Sequence, residues 1–200
     1  MGKLVVVVGS SGVGKTALVK AICKHGSFIA GLEDHLSRPF QQFSKSDTRF
    51  TLANQVDYLL LRAEQENDLR QSDQPGIMDG GLEMDLFGYT RLFHFHGWLT
   101  DDEFDLCNRL YKMIRIHQPP PDFVIHLSAE PKVIFQRLNR RNRINIAGAD
   151  DAPLLNSYIV EWLSGYSPDK VLHLDVSEND IGYRKLLPSL LNTIRSININ

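Results

Sequence analysis

Eight residues, Gly9-Ser10-Ser11-Gly12-Val13-Gly14-Lys15-Thr16, follow the spacing G-x-x-x-x-G-K-[ST] in full. Glycines at those positions let the backbone coil so that its N–H groups point inward at phosphate oxygens. The positive end of the following helix adds to that attraction. Lys15 is placed to hold the β- and γ-phosphates, and Thr16 to offer a hydroxyl to Mg²⁺. A chance glycine turn would not require a buried strand before it and a helix after it. Here four valines, Val5 to Val8, lead straight into the turn, and "KTALVKAICKHG" reads as a helix leaving it. The loop is therefore expected to hold the triphosphate tail of ATP or GTP.

What receives the phosphate is a separate question. No strongly hydrophobic strand ends in the paired acids of a motor or GTPase. "GLEDHLSRPF" instead puts Glu33 at the C-terminal end of a second strand, where open α/β sheets place their ligands. A carboxylate there could take a proton from an acceptor hydroxyl, although a lone acid in a loop is more often simply solvated. On the amphipathic stretch from Thr48 to Arg70, the apolar stripe runs through Leu52, Val56, Leu59, Leu60 and Ala63. Gln55 and Arg62, seven apart, lie along one edge of it. An amide beside a guanidinium can read a planar, hydrogen-bonding ring, or it can be an ordinary helix flank.

These residues need a scaffold, and the chain alternates strand and helix. Strands are expected at Lys3–Val8, "SFIAGLE", "PGIMD", "PPPDFVIHL" and "KVLHLDV". Further helices are expected at Thr100 onward, opened by the capping box "TDDE", at "EPKVIFQRLNRRNR" and at "YRKLLPSLLNTI". The alternation predicts an α/β fold with a parallel sheet covered on both faces. At 200 residues the chain is expected to form one domain. A formal net charge of -2 gives no general attraction to nucleic acid or acidic membrane, and no apolar run approaches the ~18 residues of a membrane span. The start "MGKLVVVVG" resembles neither a signal nor a transit peptide, and Val6 stands where myristoylation wants Ser or Thr. Cys23 and Cys107 read as small buried hydrophobes of a reduced, cytoplasmic protein. "HFH" at 94–96 is not expected to chelate a metal, since helical residues two apart face different sides. Trp98 and Trp162 read as packing residues, and Asp101, Asp102 and Glu103 as acids favouring a helix N-terminus.

Four spaced sets, taken in order, resemble the deoxynucleoside kinase family, the salvage enzymes for deoxyadenosine, deoxyguanosine and deoxycytidine. After strand two come Glu33, Pro39 and Phe40; the substrate helix carries Phe50, Gln55 and Arg62. "MDGGLEMD" supplies Asp79 and Asp85, and Arg137, Arg141 and Arg143 match the arginines of a lid expected at about 137–152. The resemblance implies a P-loop nucleoside/nucleotide kinase fold with a five-stranded parallel sheet and a helical lid. It implies ATP and Mg²⁺, with Glu33 as general base for the 5′-hydroxyl, Thr16 and Asp79 at the metal, and the lid arginines over the transferring group. Gln55 would read the base, with Arg62, Asp85 and Phe40 beside it, favouring deoxyadenosine, deoxycytidine or deoxyguanosine over thymidine. Family members are commonly homodimers.

Two departures stand out. The family's acidic-Arg-Ser motif reads Asp79-Gly80-Gly81 here, so its arginine must be replaced by another cation, with Arg38 and Arg91 as candidates. The lid glutamate falls at Ile146, with Asp150 and Asp151 just beyond. Two alternatives stay open: a nucleoside monophosphate kinase of the thymidylate kinase type, and a P-loop nucleotide-binding regulator that phosphorylates nothing.

Overall fold

Five strands lie in the order β2-β3-β1-β4-β5, every neighbouring pair parallel. They are β1 Leu4–Val8, β2 Ile29–Gly31, β3 Gly76–Asp79, β4 Phe123–Ser128 and β5 Val171–Asp175. This computed structural model describes residues 2–32, 38–140, 147–148, 150–178 and 180–196. Glu33, Arg141, Arg143 and Ile146 therefore lie outside the described residues.

The central strand β1 is LVVVV, and all five of its residues are buried. Its side chains alternate between two cores. Val5 and Val7 meet Leu18 and Ile22 of α1 (Lys15–His25) and Leu190 and Ile194 of α8 (Leu187–Ser196). Leu4, Val6 and Val8 meet Leu69 of α3 (Thr51–Arg70), Met84, and Leu155, Ile159 and Leu163 of α7 (Ala152–Leu163). A strand buried on both faces needs no polar alternation, which is why it reads as a continuous apolar run.

The remaining helices are α2 Pro39–Ser46, α4 Arg91–Phe95, α5 Asp101–His117 and α6 Pro131–Asn139. The capping box at Thr100 is formed: its hydroxyl accepts from Glu103 N at 3.3 Å, and Glu103 Oε2 accepts from Thr100 N at 2.8 Å. Helix α1 does end at Gly26, whose N–H donates to Ile22 O, but with φ −134° the residue is extended and not left-handed. Helix α3 starts at Thr51, after a separate 3₁₀ turn over Thr48–Phe50. Helices α2 and α7 and a π-helical segment over Met84–Thr90 lie in stretches where no element is expected above.

Candidate active site

The phosphate loop joins β1 to α1 and is held from behind by two side chains. Gly14, the residue before α1, has φ +118°, and a Cβ there would overlap the Tyr183 hydroxyl. Only glycine allows that approach. Tyr183 donates to the Gly14 carbonyl at 3.1 Å. Arg137, at the end of α6, donates to the carbonyls of Val13 at 2.6 Å and Val176 at 2.8 Å. The expectation places Arg137 over the transferring phosphoryl group. Here its guanidinium fork ties the outer side of the loop to the segment beyond β5, because two backbone acceptors lie within its reach. Inside the loop, Lys15 Nζ donates to Gly9 O at 2.9 Å and to Ser10 O at 3.3 Å.

Asp79 ends β3 opposite the loop, since Val7 of β1 pairs with it. The Thr16 hydroxyl donates to Asp79 Oδ2. Asp79 is buried, and its Oδ1 has no hydrogen-bond partner among the described residues. A hydroxyl, a carboxylate and an orphaned carboxylate oxygen beside a phosphate cradle form an all-oxygen set that suits Mg²⁺. The residues present fit that ion.

Gly80 follows directly with φ +84°, which favours glycine, and a Cβ on it would lie 3.0 Å from Arg62 Nη2. The Arg62 guanidinium thus fills the space a side chain at position 80 would use. Its Nε donates to Asp85 Oδ2 at 2.7 Å, with both side chains almost fully buried, and its Nη1 donates to Gln65 Oε1 at 3.1 Å. Gln65 Nε2 in turn donates to Leu32 O at 2.8 Å, which ties α3 to the end of β2. Arg38 and Arg91, the candidate replacement cations, are engaged elsewhere. Arg38 pairs with Asp57 at 3.2 Å; Arg91 pairs with Glu161 at 2.9 Å and lies over the Tyr158 ring at 4.1 Å. Of the three arginines, Arg62 is the one that lies against Gly80.

Gln55 and Arg62 are not on the edge of the buried face of α3; they are its middle. That face is Thr51, Asn54, Gln55, Tyr58, Leu59, Arg62, Glu66, Leu69 and Arg70. The expected stripe is buried only in part: Leu59 is completely buried, but Leu60 is exposed, and Leu52, Val56 and Ala63 are half-buried. The helix buries polar groups because its neighbours supply partners, and a satisfied polar group carries little burial penalty. Thr90 Oγ1 lies 2.9 Å from the Gln55 amide and 2.8 Å from Asp85 O. Tyr89 OH and Ser11 Oγ are 2.9 Å apart, which links the same segment to the phosphate loop. Phe40 is half-buried on α2.

One buried cluster is not anticipated from the sequence pattern. Arg115 Nη1 and Nη2 reach Glu66 at 2.7 and 3.0 Å, and Nη2 also reaches Glu83 at 2.6 Å. Burial pushes the Glu83 carboxyl up from 4.5 to about 7; Arg115 pulls against that shift and Glu66 adds to it. Burial likewise pushes the Tyr111 hydroxyl, 3.4 Å from Glu83, up to about 12. A signal for it does exist: Gln55, Arg62 and Glu66 repeat at helical spacing, which puts three polar residues on one side.

His94 pairs with Asp101 at 2.7 Å and His96 with Asp151 at 2.8 Å, and no metal-binding group of three His, Cys, Asp or Glu occurs among the described residues. Trp98 stacks on Phe93 and Trp162 on Phe87.

A parallel sheet in this strand order, with a glycine-rich phosphate loop after β1, is the P-loop nucleoside/nucleotide kinase fold. The chain belongs to the deoxynucleoside kinase family, whose model matches residues 5–193. It is 22% identical over 188 residues to deoxyadenosine/deoxycytidine kinase of Bacillus subtilis, covering 89% of this chain and 84% of that one. It is 24% identical over 143 residues to deoxyadenosine kinase of Dictyostelium discoideum, covering 71% and 58%. Deoxyadenosine kinase from M. mycoides with bound dCTP superposes with a TM-score of 0.80 at 18% identity, covering 96% of this chain and 99% of that one. This chain is a nucleoside-phosphorylating enzyme of that family, and the monophosphate kinase and regulator alternatives give way to it.

Proposed function

We propose that the enzyme transfers the γ-phosphoryl group of ATP to the 5′-hydroxyl of deoxyadenosine, deoxycytidine or deoxyguanosine in nucleotide salvage, with thymidine disfavoured. The observation that carries this reading is the adjacency of two sites across one peptide bond. Asp79 faces Thr16 of the phosphate loop, and Gly80 backs onto Arg62 of the buried Arg62–Asp85 pair. Glu33, two residues beyond β2 in the sequence, takes the 5′-hydroxyl proton. The oxygen then attacks the γ-phosphorus, the bond to the bridging oxygen breaks, and ADP leaves. Mg²⁺ held by Thr16 and Asp79 would neutralise charge on the phosphates. Lys15 and the loop N–H groups hold the phosphates in line for attack. Arg62 lies against Gly80, where the family arginine would stand, while Arg137, Arg141 and Arg143 keep the lid role that the family assigns them.

The whole chain acts as one catalytic domain, with the lid between α6 and α7. The working form is a homodimer. Leu106, Met113 and Ile116 form an exposed apolar stripe on α5, and Leu60 is exposed on α3, which packs against it. No described helix is long and apolar enough to cross a membrane, which is compatible with a cytoplasmic location. The test is coupled ADP release with ATP, Mg²⁺ and each of the four deoxynucleosides, with deoxynucleoside monophosphates as controls. Turnover confined to the monophosphates, or to thymidine, overturns this reading.

A further inference from the structure

Thr90 is completely buried, and its hydroxyl oxygen lies 2.8 Å from Asp85 O and 2.9 Å from the amide atom placed as Gln55 Oε1. A hydroxyl has one proton and two lone pairs. Asp85 O can only accept, so an oxygen–oxygen contact of 2.8 Å there requires the Thr90 proton. That leaves Thr90 Oγ1 as an acceptor toward Gln55. A glutamine amide can be turned by half a rotation with its heavy atoms in the same places, and its hydrogen bonds decide which end is nitrogen. With nitrogen toward Thr90, all three groups are satisfied by one chain of bonds, from Gln55 N–H to Thr90 O–H to Asp85 O. With oxygen toward Thr90, one of the two contacts has no proton of its own.

The π-helical turn is what makes this chain possible. Thr90 is five residues beyond Asp85, and a π-helix closes i to i+5, so the Thr90 hydroxyl comes back over the Asp85 carbonyl. In an α-helix the two residues would diverge by well over a quarter-turn.

We propose that Thr90 is a specificity-determining residue that locks the Gln55 amide in one orientation. This rests on the reading above that Gln55 faces the base. A locked amide offers its acceptor and donor in one fixed order. Adenine and cytosine offer an exocyclic amine beside a ring nitrogen acceptor; guanine and thymine offer a carbonyl beside a ring N–H, the reverse order. One orientation therefore serves one pair and refuses the other. Asp85, an acceptor-only carboxylate on the same turn, sides with the amine. The lock thus selects deoxyadenosine and deoxycytidine, and guanine is refused along with thymine.

The test is kcat/KM for all four deoxynucleosides in wild type, Thr90→Val, Thr90→Ser and Gln55→Leu. Wild type should prefer deoxyadenosine and deoxycytidine; a preference for deoxyguanosine or thymidine overturns the proposal. Thr90→Val keeps the volume and removes the hydroxyl, so the ratio of deoxyguanosine to deoxyadenosine should rise by ~10-fold or more. Thr90→Ser should keep the wild-type ratio. If Thr90→Val selects as wild type does while Gln55→Leu loses selection, the lock is refuted and base reading by Gln55 stands. If Gln55→Leu changes nothing, base reading falls and the lock with it. Should Thr90→Val not fold, neutron diffraction on the wild type answers directly. A deuteron between Thr90 and Asp85 O, with the Gln55 nitrogen on Thr90, is the expected result. Deuteron density pointing from Thr90 to a Gln55 oxygen overturns the proposal.

Discussion

Glu83 should make the protein less stable as pH rises from about 4.5 to about 7. Glu66 and Glu83 are both essentially inaccessible, and the single guanidinium of Arg115 serves the two of them. Burial, the largest influence, raises the Glu83 carboxyl from 4.5 to about 7. Between those values the folded chain keeps a proton that the unfolded chain has released. Folding then takes up a proton, so for this group stability is greatest below about pH 4.5, falls as pH rises from there to about 7, and levels off above it. At roughly 1.4 kcal/mol per tenfold change in proton affinity, the full effect is on the order of 3 kcal/mol by pH 8. Glu83→Gln preserves shape and an acceptor toward Arg115 but has no proton to lose. Urea unfolding at pH 5, 6, 7 and 8 should therefore show the variant gaining on wild type from pH 5 to 7 and changing little beyond. Other groups that titrate in this window, such as His126 with its pKa lowered by burial, are common to both proteins and cancel in the difference. Parallel stability profiles for the two proteins would refute the reasoning.

Lys15→Ala should abolish phosphoryl transfer without lowering the unfolding free energy, because Lys15 reaches over the loop carbonyls and belongs to none of the hydrophobic cores; normal turnover would remove the loop from the mechanism. Gly80→Ala should cost about 1–2 kcal/mol for a left-handed alanine and displace the Arg62 guanidinium. It should also raise nucleoside KM, and an unchanged melt and KM would contradict the packing described at Gly80. An Arg62→Met, Asp85→Ala double variant removes both members of a buried pair together, so it should fold and relax toward thymidine, read as kcat/KM for the four deoxynucleosides. If selection is unchanged, the pair does not govern the base.

The parts of this site that are legible in the sequence are those with a local physical cause. The phosphate loop needs glycines at fixed offsets between a buried strand and a helix, and all of that lies within fourteen consecutive residues, Leu4 to Ala17. The Thr100 capping box is likewise closed within one turn. The sequence misleads where a rule holds only for apolar cores. Leucines and valines point to one face of α3, yet the buried side carries Gln55, Arg62, Glu66 and Arg70. No count of apolar residues can find a face whose burial depends on partners from other elements: Asp85 and Thr90 on the π-helical segment, Arg115 on α5, and Asp122 before β4. Helix α7 is a different case, since Pro153 in its first turn and Leu155, Ile159 and Leu163 at intervals of four do carry a helical signal. The π-helix leaves no comparable signal. Local rules thus locate the phosphate loop, while the buried polar face of α3 is written in polar residues at core positions, where apolar pattern and burial disagree. That disagreement is itself usable. A helix whose polar residues keep the spacing of a buried face, as Gln55, Arg62 and Glu66 do here, marks in the sequence alone a face that other elements must pair.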